Sequence, residues 1–112
     1  MENCIFCKII AGEIPSKKVY EDEQVLAFDD IAPQAPVHTL VIPKRHVRNV
    51  LEGGEDAQMM AALMHGVAQV ARIKGLDNGF RLIANTGKAA GQTVEHLHFH
   101  VLGGGDFSEK LI

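Results

Sequence analysis

The sequence predicts an α+β fold: an antiparallel five-stranded meander sheet with one long and one short helix. Five short segments rich in β-branched and aromatic residues read as strands. Between Glu55 and Lys74 apolar residues recur at three- and four-residue steps, the period of one helix face. Glycine and proline punctuate the segments between these elements. Strands in a meander with one long helix laid across them, in the order β-β-β-α-β-β, indicate an α+β fold with an antiparallel sheet. With 112 residues, 46% of them hydrophobic, the chain is expected to be one domain spanning residues 1–112.

Taken in order, Cys7–Ala11 reads as a short helical turn that Gly12 ends and Pro15 prevents from resuming. Lys18–Tyr20 and Gln24–Phe28 form two strands about a turn at Glu21–Glu23. Two prolines make residues 31–37 an irregular loop, after which His38–Ile42 is a strand ended by Pro43. In the long helix Met60, Leu63, Met64, Val67, Val70 and Ala71 share the apolar face. Glu55 and Asp56 at its start, Arg72 and Lys74 at its end, and Gly75 beyond suit the helix dipole and a glycine stop. Its methionines read as core filling, and His65 sits at the stripe's edge with no chemistry assigned. Phe80–Asn85 is the fourth strand, Gly87–Gly91 a glycine-flanked loop, and Val94–Leu102 the fifth strand.

The formal net charge of −3 lacks the electrostatic footprint of a nucleic-acid binder, so any phosphate ligand would be held by local donors. The basic group Lys44, Arg45, His46 and Arg48 reads as a solvated strand end. Apolar runs such as Thr39–Ile42 are far shorter than the ~20 residues of a membrane-crossing helix, and the start lacks the pattern of a secretory signal. No membrane partner and a cytoplasmic location are expected. Cys4 and Cys7, the only cysteines, stand in a C-x-x-C pair that leaves open a metal site, a redox pair or two inert thiols.

The chemistry concentrates in Glu95-His-Leu-His-Phe-His-Val101. Alternation on a strand puts His96, His98 and His100 on one side and Leu97, Phe99 and Val101 on the other, with successive histidine Cα atoms about 6.5–7 Å apart. Three protonated imidazoles there would repel one another, so some stay neutral near pH 7 and can act as nucleophile, base or metal ligand. A three-histidine metal site and phosphoryl chemistry at a histidine nucleophile both remain open on spacing alone. Asn85-Thr-Gly87 and Gly91-Gln-Thr93 offer amide, hydroxyl and backbone N–H donors, which favours an anion.

The run His96 to Leu102 resembles the signature of the histidine triad (HIT) family, His-φ-His-φ-His-φ-φ with φ apolar. Ile5–Ile10, Glu13–Pro15, Ala27–Ile31, Pro33–His38, Ile42–Pro43 and Gly91–Thr93 extend the likeness, which points to the nucleotide-binding branch related to the Hint proteins. The resemblance implies an enzyme that releases a purine nucleoside monophosphate, AMP-type, from phosphoramidates or related adenylyl conjugates through a covalent nucleotidyl-histidine. His98 is then the nucleophile, with His100 and His38 orienting it and contacting phosphate. Asn85, Gly91, Gln92 and Thr93 fall among the phosphate donors, and Asp30 on the ribose hydroxyls. Ile5, Phe6, Ile9, Phe28 and Ile31 would form the apolar base slot. In relatives sharing the cysteine pair a structural zinc is held by residues that map onto Cys4, Cys7, His46 and His96. The family likeness also implies a homodimer whose sheets join. Glu95, where many relatives carry an apolar or aromatic residue, and the short tail ending at Ile112 are departures. A dinucleoside polyphosphate hydrolase, a zinc-stabilised nucleotide-binding interaction module and a catalytic metal on the triad are the alternatives.

Overall fold

The computed structural model describes residues 3–111, so Met1, Glu2 and the tail residue Ile112 lie outside the description. The elements are α1 (Ile5–Ile10), β1 (Lys18–Glu21), β2 (Val25–Asp29), β3 (Val37–Pro43), α2 (Val50–Gly53), α3 (Ala57–Ile73), β4 (Arg81–Ile83) and β5 (Phe99–Gly103), with a 3₁₀ turn at Lys88–Ala90. All strand pairs are antiparallel, in the order β1-β2-β3-β5-β4.

The α+β class, the five antiparallel strands, the long helix and the short one stand as the sequence predicts. Two details are corrected. Only β1, β2 and β3 follow one another as a meander, because the last strand inserts between β3 and β4. Burial explains the order: every second residue of β5 is buried, whereas β4 has none buried and takes the edge. There is also a third, one-turn helix, α2, which lacks an apolar period because it is too short to show one; Asn49 caps it by accepting the Glu52 N–H.

Each face of the sheet buries a separate apolar cluster. Val25 and Ala27 of β2, Val41 of β3 and Phe99 and Val101 of β5 point toward Leu63, Val67 and Val70 of α3. The alternate residues Leu26, Phe28, Leu40 and Ile42 point the other way, onto Phe6 and Ile9 of α1. Gly66 lets α3 lie close to the sheet, since a Cβ there would come within 3.0 Å of the Val25 side chain and 3.3 Å of Val41. The buried stripe of α3 is Met59, Leu63, Gly66, Val67 and Val70, a slight rotation of the predicted face that leaves Met64 40% exposed. Asp56 caps α3 by accepting the Met59 N–H, and Lys74 at its far end reaches Asp29 of β2, which also accepts from Thr39. The sheet therefore carries a packed layer on one side, and on the other the short α1 leaves room for the histidines.

Candidate functional site

Ladder hydrogen bonding in the last strand begins at Phe99, later than the predicted Val94, yet the alternation of faces continues back to His96. Leu97 joins the α3 cluster with Phe99 and Val101, while His98 and His100 lie edge to face at 5.0 Å on the α1 side. Leu97 N–H donates to the Val47 carbonyl at 2.8 Å, which ties the segment ahead of the last strand to residue 47 and brings His46 beside His96. Antiparallel β3 places Leu40 opposite His100, so His38 is its diagonal neighbour on the same face.

The hydrogen bonds fix which ring nitrogen each histidine presents. Gln34 N–H donates to His38 Nδ1 at 3.0 Å, so His38 carries its proton on Nε2 and donates it to His100 Nδ1 at 2.8 Å. The remaining His100 proton sits on Nε2. His98 Nδ1–H donates to the His96 carbonyl at 2.7 Å, which leaves the His98 Nε2 lone pair free. Burial lowers the pKa of His98 against the opposing pull of that carbonyl and of Asp30. Burial, then His98 and His38, push His100 down to about 4. Both rings are thus neutral near pH 7. His98 retains 7% exposure and His96 none.

Asp30 lies 3.5 Å from His38 Nε2 through one carboxylate oxygen, and its other oxygen accepts the Ala32 N–H. It borders a cleft of about 550 Å³ shared with Ser16, Lys17 and Ile31. Ile31 is fully exposed there, Ile5 is 47% exposed on a different cleft, and Phe6, Ile9 and Phe28 are packed in the α1 cluster. Of the five apolar residues read as one slot, Ile5 and Ile31 thus border different clefts and the other three belong to the packed cluster. Phe6 serves instead as a wedge, its ring edge to face with His98 at 5.2 Å and with His96 at 5.8 Å.

Asn85 follows two residues after Ile83, the strand partner of His100. Gly91 has φ +85° and Gly87 φ +84°, conformations that glycine adopts without a Cβ penalty and that shape the intervening loop. Gln92 is buried with its amide fully engaged: its oxygen accepts Gly87 N–H at 2.8 Å, and its nitrogen donates to Arg48 and Val94 carbonyls at 2.6 and 3.0 Å. That side chain ties the loop together. Thr93 and the exposed Glu95 border the Ile5 cleft.

Cys4, Cys7, His46 and His96 bring their ligand atoms within 4.8 Å of one another, a cluster that can bind a metal ion. His96 Nδ1 is 3.2 Å from Cys4 Sγ, 3.6 Å from Cys7 Sγ and 3.2 Å from His46 Nδ1, and the Cys7–His46 separation is 3.3 Å. A tetrahedral ion, at about 2.0–2.1 Å from imidazole and about 2.3 Å from thiolate, sets ligand edges of roughly 3.3–3.6 Å. The four residues fit. His96 Nε2–H donates to the Pro43 carbonyl at 2.8 Å, which turns Nδ1 toward the sulfurs in the manner of an outer-shell metal partner. Burial and the adjacent Cys4 push the Cys7 thiol up to about 11, a shift that a cation among the four groups would reverse. The second group of ligand-type side chains among the described residues is Asp30, His38 and His100, in which His38 and His100 share a hydrogen bond and Asp30 lies 3.5 Å from His38.

The backbone partners Gln34 N–H, Pro43 C=O and His96 C=O were invisible to sequence reasoning, because every residue carries such groups.

Histidines at alternate positions running into the last strand, a fourth bonded to the final one from the neighbouring strand, and an antiparallel sheet backed by one long helix define a histidine-triad protein. The HIT domain family model matches residues 11–107. An uncharacterized HIT-like protein of Synechococcus elongatus is 53% identical over 104 residues, covering 92% of this chain and 91% of that protein. The solved structure of a HIT family hydrolase from Clostridium thermocellum superposes with TM-score 0.96 at 51% identity, covering 100% of this chain and 99% of that one. A HIT family hydrolase from Legionella pneumophila gives TM-score 0.90 at 42% identity over 96% and 97% of the two chains. The chain belongs to the HIT family.

Proposed function

We propose that the protein is a nucleotide-binding hydrolase that releases a nucleoside 5′-monophosphate from phosphoramidates or related adenylyl conjugates, with His98 as the nucleophile. The observation that carries this reading is the His98 Nδ1–H bond to the His96 carbonyl, which leaves Nε2 unprotonated with its lone pair free. The hydrolase names of two structural neighbours agree with it.

In this reaction His98 Nε2 attacks the α-phosphorus, a P–N bond to the ring forms, and the bond to the leaving amine breaks as that amine takes a proton from solvent. The ring becomes cationic, and the His96 carbonyl accepting its Nδ1–H offsets that charge. Water then splits the P–N bond, releasing the monophosphate and restoring the lone pair. His100, its Nε2–H fixed by the relay from Gln34 through His38, donates to a phosphate oxygen. Asn85, Gly91 and Thr93 supply further donors to the phosphate, Gln92 holds their loop, and Asp30 takes the ribose hydroxyls beside Ile31. Phe6, Ile9 and Phe28 act beneath the site as its support.

Cys4, Cys7, His46 and His96 would hold zinc, which with four protein ligands supplies folding energy and keeps no position for water. A homodimer with joined sheets is supported by β4, an edge strand whose Leu82 is 39% exposed. Light scattering at the size expected for two chains checks it.

Turnover of adenosine 5′-phosphoramidate and of a diadenosine polyphosphate, measured side by side, tests the substrate class. Preference for the phosphoramidate is expected. Preference for the polyphosphate makes the protein a dinucleoside polyphosphate hydrolase, and tight nucleotide binding without turnover makes it an interaction module.

A further inference from the structure

We propose that Cys4 and Cys7 form a peroxide-sensitive thiol pair whose closure into a disulfide withdraws two metal ligands and unseats His98, switching the site off. The proposal rests on the reading of His98 as the reacting histidine.

Three observations converge on it. Both cysteines are only partly buried, and a cleft of about 540 Å³ reaches Cys4, His46 and Glu95, so the cluster is accessible to a small oxidant. The sulfurs lie within 4.8 Å of one another, and Cys4 Sγ accepts the Cys7 N–H at 3.2 Å. The two residues enclose Ile5 and Phe6, and the Phe6 ring rests on both His96 and His98. A covalent link from Cys4 to Cys7 therefore tightens the turn that carries this wedge. Loss of the sulfurs also removes two of the contacts that hold the His96 ring, and the His96 carbonyl is what fixes the His98 tautomer.

The chemistry balances with a hydroperoxide as oxidant. One thiolate attacks a peroxide oxygen, the O–O bond breaks, and a sulfenic acid and water result. The second thiolate attacks the sulfenic sulfur, forms the S–S bond and expels hydroxide, which is protonated to water. Two thiols and one hydrogen peroxide thus give one disulfide and two waters. A bound divalent ion leaves without changing its oxidation state.

The test treats the full-length, zinc-loaded, reduced protein with hydrogen peroxide and follows four signals. Intact mass should fall by two hydrogens, with the link mapped to the tryptic fragment ending at Lys8. A chromogenic chelator should register release of the zinc. Long-range ¹H–¹⁵N spectra should show the His98 ring losing its single Nδ1–H tautomer. Turnover of adenosine 5′-phosphoramidate should drop by about tenfold or more, the scale of losing an outer-shell partner. Reductant plus zinc should restore all four. The proposal is overturned if both cysteines stay reduced at millimolar peroxide, or if the disulfide forms while the His98 spectrum and turnover stay as they were. It also fails if a folded Cys4→Ser, Cys7→Ser protein is inactivated by peroxide like the parent. Absence of turnover in the reduced protein would count against the functional reading alone, because the His98 spectrum decides the switch without it.

Discussion

His96 and His98 stand two residues apart on one side of the segment leading into β5, yet they present opposite ring nitrogens. His96 gives its Nε2–H to the Pro43 carbonyl and turns Nδ1 toward two thiols, whereas His98 gives its Nδ1–H to the His96 carbonyl and leaves Nε2 free. The first ring is sealed and the second keeps a little exposure. One backbone carbonyl thus separates a ring whose Nδ1 faces two thiols from a ring whose Nε2 lone pair is free. The two clusters are also joined, since the residue whose ring belongs to the first supplies the carbonyl that orients the second.

The largest effect expected from breaking this division is at His98. In His98→Asn, kcat for the phosphoramidate should fall by about 10³-fold or more, with nucleotide affinity changed little in a binding titration. Loss of both turnover and affinity would mean that the ring only shapes the pocket. Next comes the other cluster. Cys4→Ser combined with Cys7→Ser should abolish zinc binding by metal analysis and remove about 3 kcal/mol or more of stability in urea unfolding at saturating zinc. Metal retained at full occupancy would move the site to the triad.

These predictions also mark what could be read in advance. Strand alternation put the three histidines on one face without any knowledge of the fold, and the apolar period located α3, because both signals are local. The order of the sheet was not local: nothing in β4 or β5 alone says which lies beside β3 until their burial is compared. The apolar residues near the site illustrate the same limit. Phe6, Phe28 and Ile31 have similar hydropathy, but two are packed under the sheet and one stands fully in solvent. Gln92 was read as a ligand donor from its neighbours, while its amide is consumed by three backbone partners.

That clasp gives a smaller prediction. Gln92→Ala should cost about 1–3 kcal/mol in unfolding free energy by stranding the Gly87, Arg48 and Val94 backbone groups. An unchanged midpoint would show that water replaces it.

The last expected effect is on pH dependence. His100 faces His98, His38 and Asp30, and burial holds its pKa down to about 4. The unfolded chain takes the proton near the ordinary value of about 6.5, so between these limits protonation favours unfolding. Stability should be level above about 6.5 and decline as pH falls toward 4, with a flatter profile in His100→Asn. Identical profiles for parent and variant would remove His100 from the account.

The division of labour between the two histidines is tested most directly by rapid-quench intact-mass spectrometry with adenosine 5′-phosphoramidate. A transient adenylyl adduct should appear and map by fragmentation to His98, with His96 unmodified. An adduct on any other residue, or turnover with no adduct at any quench time, would contradict it.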